Sequence, residues 1–157
     1  MLSLSPPVEL KLLDPRLRDW GLPVPQTPMA AALDLHACLD APLALHPGAP
    51  AELVPSGLAL HMADRHLAAL ILPRSGLGHR TGLILGNAVG LIDADYTDQI
   101  FISAWNRNPA GSPPIVIQPG ERIAQMLFVP VVHPRLVEVD SFAQDTARRG
   151  GFGSTGV

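Results

Sequence analysis

The sequence has few of the residues that build disulfide scaffolds, metal clusters or nucleic-acid interfaces. Cys38 is the single cysteine among 157 residues, which excludes an intrachain disulfide and favours a reducing compartment. The formal net charge is −3, so no basic surface is available for a nucleic-acid backbone. The six histidines lack the short spacings of metal ligands, so we do not expect a zinc site.

Long apolar runs and targeting segments are absent as well. No uninterrupted apolar run reaches the roughly 18 residues that a membrane span requires, and residues 1–7 lack the basic and apolar regions of a signal peptide. We therefore expect a soluble, cytoplasmic protein that contacts neither membrane nor nucleic acid. Charged residues make up only 16% of the chain, which hints that part of the surface is buried against further copies of it.

Proline and glycine are abundant and divide the chain into short apolar segments. Seventeen prolines would interrupt almost any window long enough for a long helix. Several segments alternate polar and apolar residues, as in 33–37 and 100–105, which is typical of strands. We predict an all-β sandwich, barrel or jelly roll. The predicted strands cover residues 8–13, 33–38, 51–54, 58–62, 67–72, 83–85, 89–92, 99–105, 115–117, 122–132 and 136–139.

Two proline-rich segments are predicted to be loops, and the end of the chain is predicted to be a separate arm. Residues 22–28 form the first loop and residues 106–114 the second, which we expect at a hairpin tip. Apolar periodicity ends near residue 141. We therefore predict a β domain over 1–140 and an arm over 141–157 that is disordered when nothing is bound.

The segment Arg74-Ser75-Gly76 combines groups that bind phosphate oxygens. Arg74 supplies a forked donor, Ser75 a hydroxyl, and the serine–glycine pair a turn whose backbone amides converge. The alternative is a tight turn with a surface arginine, which the tripeptide alone favours because short motifs recur by chance.

A carboxylate and a phenol lie close together at Asp93 and Tyr96. On a strand, Asp93 and Asp95 would share one face and Tyr96 the other. A turn or bulge would instead bring Asp93 and Tyr96 into one pocket. The carboxylate could then activate water while the phenol packs on a sugar. Alternatively, the two aspartates cap a hairpin turn.

The last residues combine cations, glycines, one aromatic ring and two hydroxyls. Phe152 beside Gly153 could fold over a flat ligand, while Ser154 and Thr155 bind phosphate. Arg148 or Arg149 could approach the same ligand in the manner of an arginine finger. The alternative is a disordered tail without a role.

Five segments, in order, resemble the motifs of the trimeric dUTPases. They are 31–37, 73–82, 90–96, 119–126 and 150–156. Two positions depart from the usual pattern, since Ala32 and Asp98 stand where the family commonly has glycine. A third departure is Ala147, where the family usually has an arginine, and Arg148 is the neighbour that could take its place.

The resemblance implies a jelly-roll-like antiparallel fold, a homotrimer with active sites at subunit interfaces, and hydrolysis of dUTP to dUMP and pyrophosphate with Mg2+. It makes Asp93 the base that activates water and Arg148 the catalytic arginine. It places Asp34 in the second shell of the metal, acting through water. The implied substrate-binding residues are Arg74, Ser75, Gly76, Asn87, Gly90, Leu91, Ile92, Asp93, Tyr96, Phe101, Gln125, Arg149, Phe152, Gly153, Ser154 and Thr155.

Within that set, the resemblance assigns separate tasks. Asn87 and the backbone around Gly90 would recognise uracil, and Tyr96 would stack on deoxyribose and exclude a 2′-hydroxyl.

Two rival functions share the fold or the ligand. A dCTP deaminase or bifunctional relative would release ammonia from dCTP, and a regulatory nucleotide-binding protein would bind dUTP without cleaving it. A structural β-sandwich module is the alternative outside the resemblance.

Overall fold

Eleven short strands form four antiparallel sheets in the computed structural model, which describes residues 6–144. The strands are β1 (Glu9–Leu12), β2 (Leu33–His36), β3 (Leu43–Leu45), β4 (Glu52–Pro55), β5 (Leu58–His61), β6 (Leu67–Pro73), β7 (Leu83–Leu85), β8 (Gly90–Ile92), β9 (Phe101–Asn106), β10 (Ile115–Ile117) and β11 (Arg122–Pro130). Two short helices, α1 (Leu17–Trp20) and α2 (Ser75–Arg80), interrupt this order.

The largest sheet has the strand order β2-β11-β6-β8, and a three-stranded sheet has the order β4-β9-β7. Two pairs, β1 with β5 and β3 with β10, complete the fold. All of these pairs are antiparallel. The all-β antiparallel architecture expected from the short alternating segments is therefore confirmed.

One apolar core lies beneath these sheets. In β9 the side chains alternate, with Ile102 and Ala104 buried and Phe101 exposed, as the pattern of 100–105 predicts. Asn106 continues the buried face, and its amide donates a hydrogen bond of 2.9 Å to the Leu45 carbonyl. The buried polar group is thus satisfied, and it ties β9 to β3.

Several sequence-based predictions of local structure were wrong. Residues 136–139 pair with no strand within 6–144, and β11 ends at Pro130 rather than at residue 132. Strand β3 and helices α1 and α2 were not predicted. The loop 106–114 joins β9 to β10, which lie in different sheets, so it is not a hairpin tip.

The predicted boundary between a β domain and an arm near residue 140 stays a prediction. Residues 131–144 contain no strand and are almost entirely exposed. The rest of the arm, from residue 145, lies outside the described residues. Neither helix between residues 6 and 144 is long and apolar enough to cross a bilayer.

Candidate active site

Asp34, Arg74 and Gln125 meet at one end of the four-stranded sheet. Gln125 on β11 is paired in register with Asp34 on β2, and Ala124 is paired with Pro73 on β6. The Gln125 amide donates a hydrogen bond of 2.8 Å to the Pro73 carbonyl. Sheet register and side-chain contacts therefore bring together Asp34, predicted to contact the metal through water, and Arg74 and Gln125, predicted to bind phosphate.

Asp34 forms two ion pairs, one through each carboxylate oxygen. Its Oδ1 lies 2.9 Å from Arg74 Nε, and its Oδ2 lies 3.0 Å from Arg122 Nη1. The Asp34 side chain is only 12% exposed, so both arginines compensate a largely buried charge. The sequence-based site did not include Arg122, although it lies in the segment 119–126, three residues before Gln125.

Ser75 and Gly76 begin helix α2 instead of opening the predicted turn. Arg74 before them is extended, with φ −79° and ψ 127°, and the Gly78 amide donates to the Arg74 carbonyl. The first amide N–H groups of a helix have no acceptor within it. The amides of Ser75, Gly76 and Leu77 therefore have no acceptor within α2.

Asn87 and Gly90 lie at the turn that connects β7 to β8. Ala88 within this turn has a φ of 62°, one of two non-glycine residues with positive φ in the part described. The Gly86 amide donates to the Ser103 carbonyl at 2.8 Å and so holds the turn beside β9, which begins at Phe101. A Cβ on Gly90 would lie 3.0 Å from Ile71 Cβ, so glycine permits the close pairing of β8 with β6.

Asp93 and Tyr96 form the ends of a tight turn directly after β8. The Tyr96 amide donates to the Asp93 carbonyl at 3.1 Å, and the Tyr96 hydroxyl donates to the Gln99 carbonyl at 2.9 Å. Strand alternation therefore does not apply here, because the segment forms a turn, and the cleft beside Asp93 is lined by Ala94 and Asp95 but not by Tyr96. Asp93 is exposed and borders a cleft that is also lined by Arg65 and His133.

The other residues predicted to bind the nucleoside, Leu91, Ile92 and Phe101, differ in exposure. Leu91 is 63% exposed and Phe101 45% exposed. Ile92 packs against the core. The predicted tail residues Arg148, Arg149, Phe152, Gly153, Ser154 and Thr155 lie outside the described residues.

A single chain does not bring Asp34, Arg74 and Gln125 together with Asp93 and Tyr96. Sheet register pairs Ile92 with Ala69, near the start of β6, whereas Arg74 follows the end of that strand. Asp93 therefore lies near the level of Ala68. Six residues of strand at about 3.3 Å each separate this level from Arg74, a distance of about 20 Å.

At Ala32 and Asp98, where the family commonly has glycine, the backbone conformation does not require glycine. Ala32 is half-buried, and Asp98 is exposed in a bend. Within residues 6–144 only Ala63 and Ala88 are non-glycine residues with positive φ. Ala32 and Asp98 therefore sit in ordinary backbone conformations, and neither departure strains the site.

Sequence comparison identifies close relatives along nearly the whole chain. A family model described as dUTPase matches residues 18–156. The deoxyuridine 5'-triphosphate nucleotidohydrolase of Burkholderia multivorans is 57% identical over 149 residues, covering 95% of this chain and 97% of the relative. The enzyme of the same name from Xanthomonas euvesicatoria is 52% identical over 158 residues, covering 98% of this chain and 99% of the relative.

Solved structures share the fold. The dUTPase of Staphylococcus bacteriophage 80alpha with dUPNHPP superposes with a TM-score of 0.80 at 23% identity and covers 98% of this chain and 100% of that one. A mutant dUTPase of phage phi11 of S. aureus, reported for the coordination of a structural Mg(II) ion, has a TM-score of 0.72 at 19% identity and covers 87% of this chain and 98% of that one. The jelly-roll-like fold predicted above is confirmed.

Proposed function

The chain belongs to the dUTPase family, and we propose that it is a dUTP diphosphatase, which hydrolyses dUTP to dUMP and pyrophosphate. Support comes from relatives above 50% identity that carry this activity in their name and match the chain nearly end to end. Within the described residues, Arg74 and Gln125 suit the binding of phosphates, and Asp93 and Tyr96 suit the activation of water and the binding of the sugar.

The distance between Asp93 and Arg74 within one chain is the observation that supports the proposed assembly. About 20 Å along β6 is too far for Asp93 and Arg74 of one subunit to act on the same α-phosphorus. We therefore infer a homotrimer in which one subunit supplies Asn87, Asp93 and Tyr96 and a neighbour supplies Asp34, Arg74 and Gln125. The arm of a subunit, with Arg148 and Phe152, would close over the assembled site.

Asp93 is the proposed general base. It would accept a proton from a water molecule as the water oxygen attacks the α-phosphorus, and pyrophosphate would leave with the electrons of the broken P–O bond. The carboxylate is exposed and accessible to water, and the backbone of Asp93 is held by the hydrogen bond from the Tyr96 amide. Arg148 would stabilise the negative charge that develops on the phosphates.

Nucleoside selection is proposed for the β7–β8 turn and the residues after it. Asn87 and the backbone from Gly90 to Ile92 offer fixed donors and acceptors to the edge of uracil, with Phe101 beside them. Tyr96, whose hydroxyl is bound to the Gln99 carbonyl, has its ring fixed and 39% of the residue exposed. A fixed ring beneath deoxyribose leaves no room for a 2′-hydroxyl.

The phosphate site fits a metal that arrives with the substrate. Within residues 6–144 no group of three or more His, Cys, Asp or Glu side chains could hold a metal ion. Mg2+ keeps several waters and binds phosphate oxygens directly, so the single carboxylate of Asp34 suffices to contact it through water. When bound, Mg2+ would neutralise phosphate charge, while Arg74, Ser75, Gly76 and Gln125 hold the phosphate chain.

A cytoplasmic location is also part of the proposal. The single cysteine has no intrachain partner, and burial raises the pKa of the Cys38 thiol to about 12. A buried, protonated thiol acts as a core side chain and suits a reducing compartment.

Pyrophosphate release provides the test of the proposed activity. The purified chain should release pyrophosphate from dUTP in the presence of Mg2+, and only weakly from dCTP, dTTP and UTP. Asp93→Asn should lower kcat by at least about a hundredfold, the lower end of what a general base contributes, while Asp19→Asn, an exposed change on α1, serves as the control. Ammonia release from dCTP would favour the deaminase, and dUTP binding without cleavage would favour the regulatory protein.

A further inference from the structure

Arg122 is the second of the two arginines that contact Asp34. Each carboxylate oxygen has its own partner, with Arg74 Nε at 2.9 Å from Oδ1 and Arg122 Nη1 at 3.0 Å from Oδ2. The Arg122 carbonyl also accepts a hydrogen bond of 3.1 Å from Arg74 Nη1. Residue 122 thus touches both members of the Asp34–Arg74 pair.

Arg74 faces two competing anions. Under the proposed function its guanidinium binds the triphosphate, yet in the free protein the same guanidinium is held by Asp34 and by the Arg122 carbonyl. Turning toward the phosphates takes one counter-charge away from a carboxylate that is only 12% exposed. A largely buried carboxylate is costly to leave without compensation.

We propose that Arg122 is a positioning residue for dUTP hydrolysis: it holds Asp34 in place and balances its charge while Arg74 turns to the phosphates. Oδ2 stays on Arg122, and Oδ1 becomes free to face the triphosphate and its hydrated cation. This inference rests on the proposed function.

The local backbone directs Arg122 to this position. The pairing of β11 with β2 shifts register between Arg122 and Ala124, and such bulges re-aim the side chains beside them. The guanidinium also has Gln26 Oε1 at 3.4 Å, so the side chain is anchored on the loop before β2. The same nitrogen, Arg122 Nη1, therefore contacts both the Gln26 amide oxygen and Asp34 Oδ2.

Removing Arg122 should weaken phosphate binding without weakening nucleoside binding. Asp34 would then have Arg74 as its single counter-ion within the site and would compete with the phosphates for it. Ligands that use the β- and γ-phosphates should lose affinity, whereas dUMP should bind as before. If Arg122 only stabilised the fold, its removal would change the affinity for both kinds of ligand by the same factor.

Calorimetric titration of three full-length proteins tests this inference: wild type, Arg122→Ala and Arg122→Lys. Each protein is titrated with the dUTP analogue dUpNHpp and with dUMP, both in the presence of Mg2+. We expect Arg122→Ala to bind dUpNHpp about tenfold more weakly, the size of one charge-assisted hydrogen bond, and dUMP within about twofold of wild type. Arg122→Lys should recover part of the loss, because it keeps the charge. Arg18→Ala, which changes an exposed arginine on α1, is the control.

A double-mutant cycle shows whether Arg122 acts through Asp34. In an Asp34→Asn background, Arg122→Ala should change dUpNHpp affinity by less than about twofold, since the charge it serves is gone. The same tenfold loss in that background would overturn the inference, and so would equal losses for dUpNHpp and dUMP. Should thermal unfolding show that Arg122→Ala does not fold, Arg122→Gln takes its place with the same expected ratio.

Failure of the inference is distinguishable from failure of the proposed function. Wild-type protein that cleaves dUTP, together with an Arg122→Ala variant that behaves like Arg18→Ala toward both ligands, would overturn the positioning role alone. Wild-type protein that neither cleaves dUTP nor binds dUpNHpp would overturn the proposed function and this inference with it.

Discussion

Gly57 shows how strongly a single position can constrain this fold. Its φ of 72° lies in the left-handed region, and its carbonyl accepts hydrogen bonds from the amides of Leu13 and Asp14. A Cβ at this position would collide with Cys38 Sγ and lie 2.8 Å from Asp14 Cβ. Backbone conformation and packing therefore both require glycine here.

Gly57→Ala should cost about 3 kcal/mol of unfolding free energy, combining left-handed strain with overpacking. Gly48→Ala is the matched control, because Gly48 also has a positive φ, 81°, but no atom within 4 Å of an added Cβ. The control should lose only the conformational part, about 1 kcal/mol. Urea unfolding of both variants measures the difference, and equal losses would contradict the packing contribution.

At the scale of secondary-structure elements, an Asp14–Arg16 pair fixes the loop between β1 and α1. Asp14 Oδ2 lies 2.6 Å from Arg16 Nη2, and Asp14 Oδ1 accepts from the Arg16 amide at 2.9 Å. The Arg16 guanidinium also donates to the Leu39 carbonyl at 3.0 Å and lies 5.0 Å from the centre of the Trp20 ring. This single pair thereby connects β1, α1 and the segment after β2.

The hydrogen bond from Arg16 is the main cause that lowers the pKa of Asp14 below its usual 3.8. A lowered pKa in the folded state means that the stabilisation is complete above pH 3.8 and is lost as the pH falls through the folded-state value. Asp14→Asn should therefore lower the unfolding midpoint by about 2–4 °C at pH 7. The difference from wild type should shrink as the pH falls below 3.8. A difference that stays constant between pH 7 and pH 3 would contradict this account.

The elements that the sequence predicted and those it missed differ in where their stabilisation comes from. Alternation identified β9, because one face of that strand is buried, and it also identified β2, although Leu35 and His36 are both buried there. Helix α2 was missed because its serine and glycines favour a turn, whereas tertiary contacts hold it. Arg107 Nη2 donates to the Gly78 carbonyl and Asn108 Nδ2 to the Thr81 carbonyl, so a distant loop satisfies the end of the helix.

A strand prediction also fails without a partner. Residues 136–139 were predicted to form a strand, yet no neighbouring strand within residues 6–144 pairs with them. For the site, the segments 31–37, 73–82, 90–96 and 119–126 contain Asp34, Arg74, Asp93, Tyr96 and Gln125, whereas Asn87 and Phe101 lie outside them. The contact of Arg122 with Asp34 and the distance between Asp93 and Arg74 follow from the strand register along β6 and β11. The spacing of residues in the sequence does not encode that register.

At the scale of the whole molecule, several large apolar side chains are exposed in the described part of the chain. Val132, Leu136 and Phe142 are each at least 85% exposed on the segment after β11, and Leu91 is 63% exposed beside Asp93. Exposed apolar side chains that form a contiguous patch are typical of surfaces that associate. The proposed trimer would cover them, in keeping with the low charged fraction of 16%.

Complementation between two inactive variants tests the shared site most directly. Asp93→Asn and Arg74→Ala proteins are each expected to cleave dUTP poorly. When the two are unfolded, mixed in equal amounts and refolded together, about a quarter of the sites should combine an intact Asp93 from one subunit with an intact Arg74 from its neighbour. Pyrophosphate release should then rise to about a quarter of the wild-type rate. A mixture that stays as inactive as its two components, while light scattering shows mixed oligomers, would contradict a site built from two subunits.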